Sequence, residues 1–285
     1  MERQFPSLEL HAVEPLGSGW EYDVYLIDGH LAVRFPRYAD VSRDLDRAEA
    51  RLQFVAGEIG SAVTVPRITL RGEPGPHFPH RFFGHEWIPG IPAAELVGHL
   101  PERLASDLGV ALTYIHGISP ERASLVKAGA QKWSCRSSFD GLVEVLEEVP
   151  EVSRLVPEGI AWVGGVTALP AEYAGPARFI HDDFQPEHII VDGDSGGLSG
   201  VIDWGGSLGD PAQDFSFIAA WAGWEFTTSV ISAYHGVVDG DFLDRLLFLG
   251  RVRALGWLAY GIHVGLDTSE QAEVVRDLLS RNGSS

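Results

Sequence analysis

Two short acid-bearing segments bracket an apolar hairpin near residue 190, and this arrangement constrains the fold more than any other stretch. The first reads His181-Asp182-Asp183-Phe184-Gln185-Pro186-Glu187-His188, and the second, Ile202-Asp203-Trp204-Gly205, places its aspartate fifteen positions after His188. Between them Ile189-Ile190-Val191 reads as a buried strand, Asp192-Gly193 as a turn and Gly200-Val201-Ile202 as the returning partner. A hairpin of this kind holds His188 and Asp203 at a fixed separation.

The spacing suits phosphoryl transfer. A His-x-Asp loop, a ligand five residues after its aspartate and a second metal-binding aspartate one hairpin later, with Gly two residues behind it, supply the parts such chemistry needs. Asp183 is the expected catalytic residue, orienting an attacking hydroxyl and taking its proton. His188 and Asp203 are the expected metal ligands, the carboxylate suiting hard magnesium. A metallohydrolase built from His181, Asp183 and His188 is the competing reading. The ordered run of loop, hairpin, second aspartate and the later Asp210-Pro211-Ala212-Gln213-Asp214-Phe215 disfavours it.

On these motifs the chain resembles the aminoglycoside phosphotransferase family, whose fold is related to the protein kinases. That family's loop reads approximately His-Gly-Asp-Leu-x-Pro-x-Asn, followed by Ile-Asp-Trp or Ile-Asp-Phe, then Gly-Asp-Pro and a further Asp. The resemblance extends over nearly the whole chain. His188 stands where Asn is usual, as in the aminoglycoside 2''-phosphotransferase and macrolide 2'-phosphotransferase branches. Asp182 departs from the usual Gly or Asn and sets a second negative charge beside Asp183.

The resemblance implies an α+β, bilobal, protein-kinase-like fold. Residues 1–90 would form an N-terminal nucleotide-binding lobe with an antiparallel sheet and one helix, and residues 91–285 a larger, mainly helical catalytic and substrate-binding lobe. Val13 to Leu26 reads as strand, glycine turn and strand, so that Gly17, Ser18 and Gly19 would cover the phosphates of ATP or GTP. Arg34 stands on the third strand where the family usually has Lys, and Glu49 lies on the next helix where that Lys finds its partner. Ser42 is the expected cap of this helix, whose apolar face is Leu45, Ala48, Leu52, Val55 and Ile59. The backbone at Glu86, Trp87 and Ile88 would meet the purine edge, ahead of a hinge at Pro89-Gly90-Ile91-Pro92. Further helices are expected from Pro101 to Gly117, around Phe139 to Leu146, and again from Phe215, Asp241 and Ser269.

Twenty-one basic against forty acidic residues give a net charge of −19, which repels nucleic acid and membrane phosphates and attracts cations. Residues 242–264 are apolar but carry Arg245, Arg251 and Arg253, reading as a buried helix rather than a membrane span. The single cysteine, Cys135, and a start without a basic-then-apolar run lead to the expectation of a cytoplasmic protein. The expected partner is a small-molecule hydroxyl substrate, cationic, and foremost an aminoglycoside antibiotic. A macrolide, a metabolic substrate of choline, homoserine or sugar type, and a nucleotide-binding pseudoenzyme are the alternatives. Trp221, Trp224, Glu225, Tyr234, Asp239, Asp241 and Asp244 are the candidates for its pocket.

Overall fold

Short alternating runs separated by glycine turns open the chain, and in the computed structural model they form strands β1 (Val13–Ser18), β2 (Tyr22–Ile27) and β3 (Leu31–Pro36). The structure describes residues 4–8, 10–18, 21–96 and 100–281. Strand β1 runs through Gly17, which pairs with Val24, so Gly17 and Ser18 belong to the strand rather than to the expected turn. Asp28 and Gly29 take φ values of 48° and 70°, and the His30 amide closes the turn on the Ile27 carbonyl at 3.1 Å. Only glycine and short polar residues tolerate that left-handed pair well.

Helices α1 (Ala39–Arg43) and α2 (Leu45–Ile59) follow, then strands β4 (Ile68–Gly72) and β5 (Phe82–Glu86). The five strands form one antiparallel sheet in the order β1-β2-β3-β5-β4. Ile27, Leu31, Val33, Leu70 and Phe82 make its core. Helix α2 buries Leu45, Leu52, Val55 and Ile59, the expected face, yet Ser42 does not cap it. Its hydroxyl accepts instead from the Arg81 amide at 3.1 Å, and Asp44 stands at the N-cap. The hydroxyl is thus engaged across the unit, three residues upstream of the helix it was expected to cap.

The remaining elements are β6 (Ile91–Pro92), α3 (Glu102–Gly117), α4 (Pro120–Ala123), β7 (Gly129–Ala130), α5 (Cys135–Glu148), α6 (Val152–Leu155), α7 (Pro157–Gly165) and β8 (Arg178–Ile180). After them come β9 (Ile189–Val191), β10 (Leu198–Val201), β11 (Ser207–Gly209), α8 (Ala212–Ser232), α9 (Phe242–Val264) and α10 (Ser269–Ser280). The chain divides into two compact units, Met1–Gly90 with Ser199–Ile202, and Ile91–Leu198 with Asp203–Ser285. The α+β class follows from an antiparallel sheet in the first and a mainly helical second.

In the second unit α8 and α9 pack along each other, with α3 on α8, α5 on α9 and α10 on both. Gly109 lets α3 approach α8, because a Cβ there would stand 2.4 Å from the Val230 carbonyl oxygen. Helix α8 breaks at Gly223, where φ is 76°, and the next amide, Trp224 N–H, donates to Asp277 of α10 at 2.8 Å. No described helix is long and apolar enough to cross a membrane.

Candidate functional site

The loop carrying Asp183 is suspended from a buried carboxylate. Asp214, in the first turn of α8, accepts the His181 amide on Oδ2 at 2.8 Å and the Asp182 amide on Oδ1 at 2.9 Å. His116 of α3 adds a third donor, its Nε2 lying 3.0 Å from Oδ2, and its Nδ1 faces the Tyr234 hydroxyl at 2.9 Å. Burial pushes the Asp214 carboxyl up, but the hydrogen bond and charge of His116, with help from His181, outweigh it and hold the group below the ordinary range. Asp182 is left-handed at φ 68°, and the Ser207 hydroxyl donates to its Oδ2 at 2.9 Å. Burial raises the Asp182 carboxyl, the Ser207 bond opposes this, and the Asp214 charge adds to it. The His181 ring lies against Trp204, with ring centres 4.7 Å apart.

Asp183, His188 and Asp203 meet in this unit. Nδ1 of His188 is 2.9 Å from the Asp183 carbonyl oxygen and 3.5 Å from its Oδ2, while Nε2 is 3.4 Å from Oδ2 of Asp203. A carbonyl only accepts, so Nδ1 carries a proton and Nε2 can turn a lone pair toward Asp203. The His188 side chain is 12% exposed against 42% for Asp183 and 46% for Asp203, so the imidazole backs two carboxylates that face solvent. Burial raises the Asp183 carboxyl, His188 draws it back and Asp203 pushes it up again. Asp203 is also left-handed, with φ of 58°.

In the first unit, Gly17 and Ser18 end β1, and Gly19 lies outside the described residues. The Arg34 guanidinium carbon sits 4.7 Å from the centre of the Tyr22 ring. Glu49 does not pair with it as the resemblance implies. Its carboxylate binds Arg71, whose Nε donates to Oε2 at 3.0 Å, because β4 brings that guanidinium over α2. Glu86 is exposed at the end of β5 and Ile88 is buried, while the Trp87 amide donates to the His30 carbonyl at 2.8 Å. That amide is thereby committed within the fold.

A cleft of about 860 Å³ opens beside the loop in the second unit, with Gln185, Pro186 and Glu187 on its wall. Six acids line it: Glu102, Glu187, Glu225, Asp267, Glu270 and Glu273. No lysine or arginine is among the described lining residues. Trp221, Phe226, Trp257 and Tyr260 give it aromatic surfaces. Of the seven pocket candidates read from the sequence, Trp221 and Glu225 are on this wall. Tyr234 serves His116, Asp239 binds Arg245 at 2.9 Å, and Asp241 stands at the N-cap of α9, with Asp244 in its first turn. Glu187 was open to discovery inside the motif itself, and the three-residue spacing of Glu270 and Glu273 marks one face of α10. Cys135 is buried, and burial pushes its thiol up to about 12, so it stays protonated at neutral pH.

The model of a phosphotransferase enzyme family matches residues 12–245. Among solved structures, the chain is similar to the GDP complex of aminoglycoside 2'-phosphotransferase-IIIa, with a TM-score of 0.72 and 21% identity over 98% of this chain and 96% of that one. It is also similar to the streptomycin-ATP-APH(2")-IIa complex, with a TM-score of 0.62 and 20% identity over 96% of each chain. A third similarity is to macrolide 2'-phosphotransferase MphH from Brachybacterium faecium, with a TM-score of 0.59 and 18% identity over 99% and 97%. At these identities the likeness establishes a shared kinase-like fold. No curated protein matches the chain.

Proposed function

Because this chain belongs to the phosphotransferase enzyme family, we propose that it moves the terminal phosphoryl group of ATP or GTP to a hydroxyl of a polycationic small molecule, foremost an aminoglycoside. One observation carries the substrate class. The cleft beside the Asp183 loop presents six carboxylates and no described basic side chain. Several ammonium groups on one ligand need several carboxylates, whereas a macrolide offers a single amine. The four aromatic walls favour the macrolide as the second reading, since a large apolar ring would cover them.

In this reading Asp183 accepts the hydroxyl proton as the oxygen bonds to phosphorus and the bond from phosphorus to the leaving nucleotide oxygen breaks. Asp214 holds the loop in register through the His181 and Asp182 amides, so Asp183 needs little reorganisation during the step. Gly17, Ser18, Gly19, Arg34 and, apart from the Glu86 and Trp87 amides that the fold already uses, the remaining backbone groups of Glu86, Trp87 and Ile88 are the proposed nucleotide contacts, with Glu49 steadying the same unit through Arg71.

The residues present fit magnesium. Two donors bound to one octahedral ion at its usual bond lengths lie about 3 Å apart when adjacent, and His188 Nε2 and Asp203 Oδ2 converge at 3.4 Å. No group of three His, Cys, Asp or Glu side chains among the described residues is arranged to hold a metal alone. Magnesium when bound supplies positive charge against the phosphate oxygens.

The test is a mass-spectrometric transfer assay with magnesium, ATP or GTP, and a panel of aminoglycosides, macrolides and small metabolic alcohols. The expected product is an aminoglycoside heavier by one phosphoryl group, lost in Asp183→Ala. Nucleotide binding without product from any acceptor would move the assignment to a pseudoenzyme, and turnover of choline alone to a metabolic kinase.

A further inference from the structure

Arg253 lies outside the stretch matched by the family model, and none of the chemistry above uses it. It belongs to the α9 face that continues into the cleft. Arg253, Trp257 and Gly261 recur at four-residue intervals, and the last two line the cleft wall. Phe217 of α8 ties the row together, its ring centre 6.2 Å from that of Trp257 and 3.5 Å from the Arg253 guanidinium carbon.

The guanidinium is fixed rather than free to snorkel. Its Nε donates to the Ser216 hydroxyl at 2.7 Å and its Nη2 to Oε1 of Gln213 at 2.7 Å. Gln213 and Ser216 flank Asp214, from which the catalytic loop hangs, so Arg253 stands at the catalytic end of the row. Its charge acts on Asp182, Asp214 and Asp183, and Lys132 is a second cation acting on Asp182. Burial draws the Arg253 guanidinium down to about 10, which leaves it cationic at neutral pH.

We propose that Arg253 is a specificity-determining residue that sets the register of a polycationic acceptor. The cleft carboxylates draw ammonium groups toward the outer wall, and the fixed guanidinium repels them from the inner end. A neutral hydroxyl, rather than an amine, is then what the ligand can present to Asp183. The inference rests on the reading of the cleft as a cation site.

The test compares the full-length wild type with Arg253→Gln, Arg253→Lys and Gln213→Glu, using kanamycin as acceptor. Gln213→Glu keeps the Oε1 acceptor and cancels the Arg253 charge, at the loss of the Gln213 Nε2 donation to the Trp133 carbonyl at 2.7 Å, so it is read beside Arg253→Gln rather than alone. Kanamycin affinity is read by calorimetry, turnover by product formation, and the phosphorylated position by fragmentation mass spectrometry. Arg253→Gln and Gln213→Glu should bind kanamycin about threefold more tightly or better, as a like charge is removed at an effective dielectric near ~20. Their kcat should fall about tenfold, with phosphate spread over more than one position. Arg253→Lys keeps the charge without both hydrogen bonds, and should stay closer to wild type in affinity and product than Arg253→Gln does.

Weaker binding together with lower turnover in both charge-cancelled proteins would mark a structural role and overturn the inference, as would unchanged affinity and product. If the wild type binds kanamycin without phosphorylating it, the proposed reaction fails and the affinity comparison still decides the role of Arg253. If the wild type does not bind kanamycin, the cation-site reading falls and the inference with it.

Discussion

His116 Nε2 and the Asp182 amide grip opposite oxygens of one buried carboxylate, at 3.0 Å from Asp214 Oδ2 and 2.9 Å from Oδ1. With the His181 amide they give Asp214 three donors in the core of the second unit. Asp214→Ala would leave all three unpaired and buried, at a cost of about 3–5 kcal/mol of stability. The pH dependence has a definite sign. A carboxyl held lower in the folded state contributes stability above its unfolded pKa near about 3.9, and this is lost as pH falls through the lower folded value. Urea unfolding of wild type and Asp214→Asn at pH 7 and pH 3 should therefore show the gap between them closing in acid; a constant gap would mean that the charge of Asp214 is not what the donors hold.

Asp182 carries the opposite sign. Burial and the Asp214 charge raise its carboxyl in the folded state, with the Ser207 bond opposing them, so its favourable contribution is present below about pH 3.9 and is lost as pH rises through the folded value. Asn can keep the Ser207 hydrogen bond and tolerates φ of 68°. Asp182→Asn should raise the urea midpoint at pH 7, with the gain vanishing near pH 4. A lower midpoint at pH 7 would show that the ionised carboxylate is stabilising.

The motif residues were legible because their spacing is short-range: Asp183, His188 and Asp203 lie within 21 positions and meet around one imidazole. The apolar face of α2 was legible for the same reason, since a helix repeats locally. Asp214 was visible only as the further aspartate after Asp210-Pro211, and its role was not, because its partners His116 and His181 are 98 and 33 residues away. Glu49 was assigned to Arg34 by the resemblance to the family's Lys and helix partner, and Arg71, which binds it, is delivered by a strand 22 residues downstream. The acid wall was the least legible part. Glu102, Glu225 and Glu270 lie on three different helices, and their convergence depends on how α3, α8 and α10 pack.

Gly109 tests that packing. A Cβ at this position would fall 2.4 Å from the Val230 carbonyl oxygen and 2.7 Å from Ala233 Cβ, where backbone cannot give way as a flexible side chain can. Helix propensity alone would make alanine stabilising by up to about 1 kcal/mol. Overpacking costs typically about 1–3 kcal/mol and should win. Gly109→Ala is expected to lower the thermal midpoint, and a rise would show that α3 and α8 can separate freely.

The acid wall gives a kinetic expectation within the proposed reaction. Glu225→Gln and Glu270→Gln each remove one carboxylate from the cleft without touching Asp183. Each should raise KM for an aminoglycoside about three- to tenfold with little change in kcat, an effect that shrinks as salt screens the charges. Steady-state kinetics at low and high ionic strength would check this. A fall in kcat at constant KM would place these acids in the chemical step instead.

Arg245 and Asp210 show how stability and site are joined. Arg245 is 1% exposed, its Nε donates to Asp210 Oδ2 at 2.6 Å, and its Nη2 reaches Asp239 Oδ1 at 2.9 Å. The arginine thus clamps the residue after β11 to the segment before α9. Removing one partner strands a buried charge, which costs about 3–5 kcal/mol, whereas removing both charges together leaves only Asp239, whose side chain is about a third exposed to water. Arg245→Met should therefore be severely destabilised, and Arg245→Met with Asp210→Asn should recover part of the loss despite carrying one more substitution. Urea denaturation of the two single variants and the double variant forms the cycle that measures the coupling. Additive losses would mean that Asp239 satisfies an Arg245 left without Asp210, and that solvent satisfies an Asp210 left without Arg245.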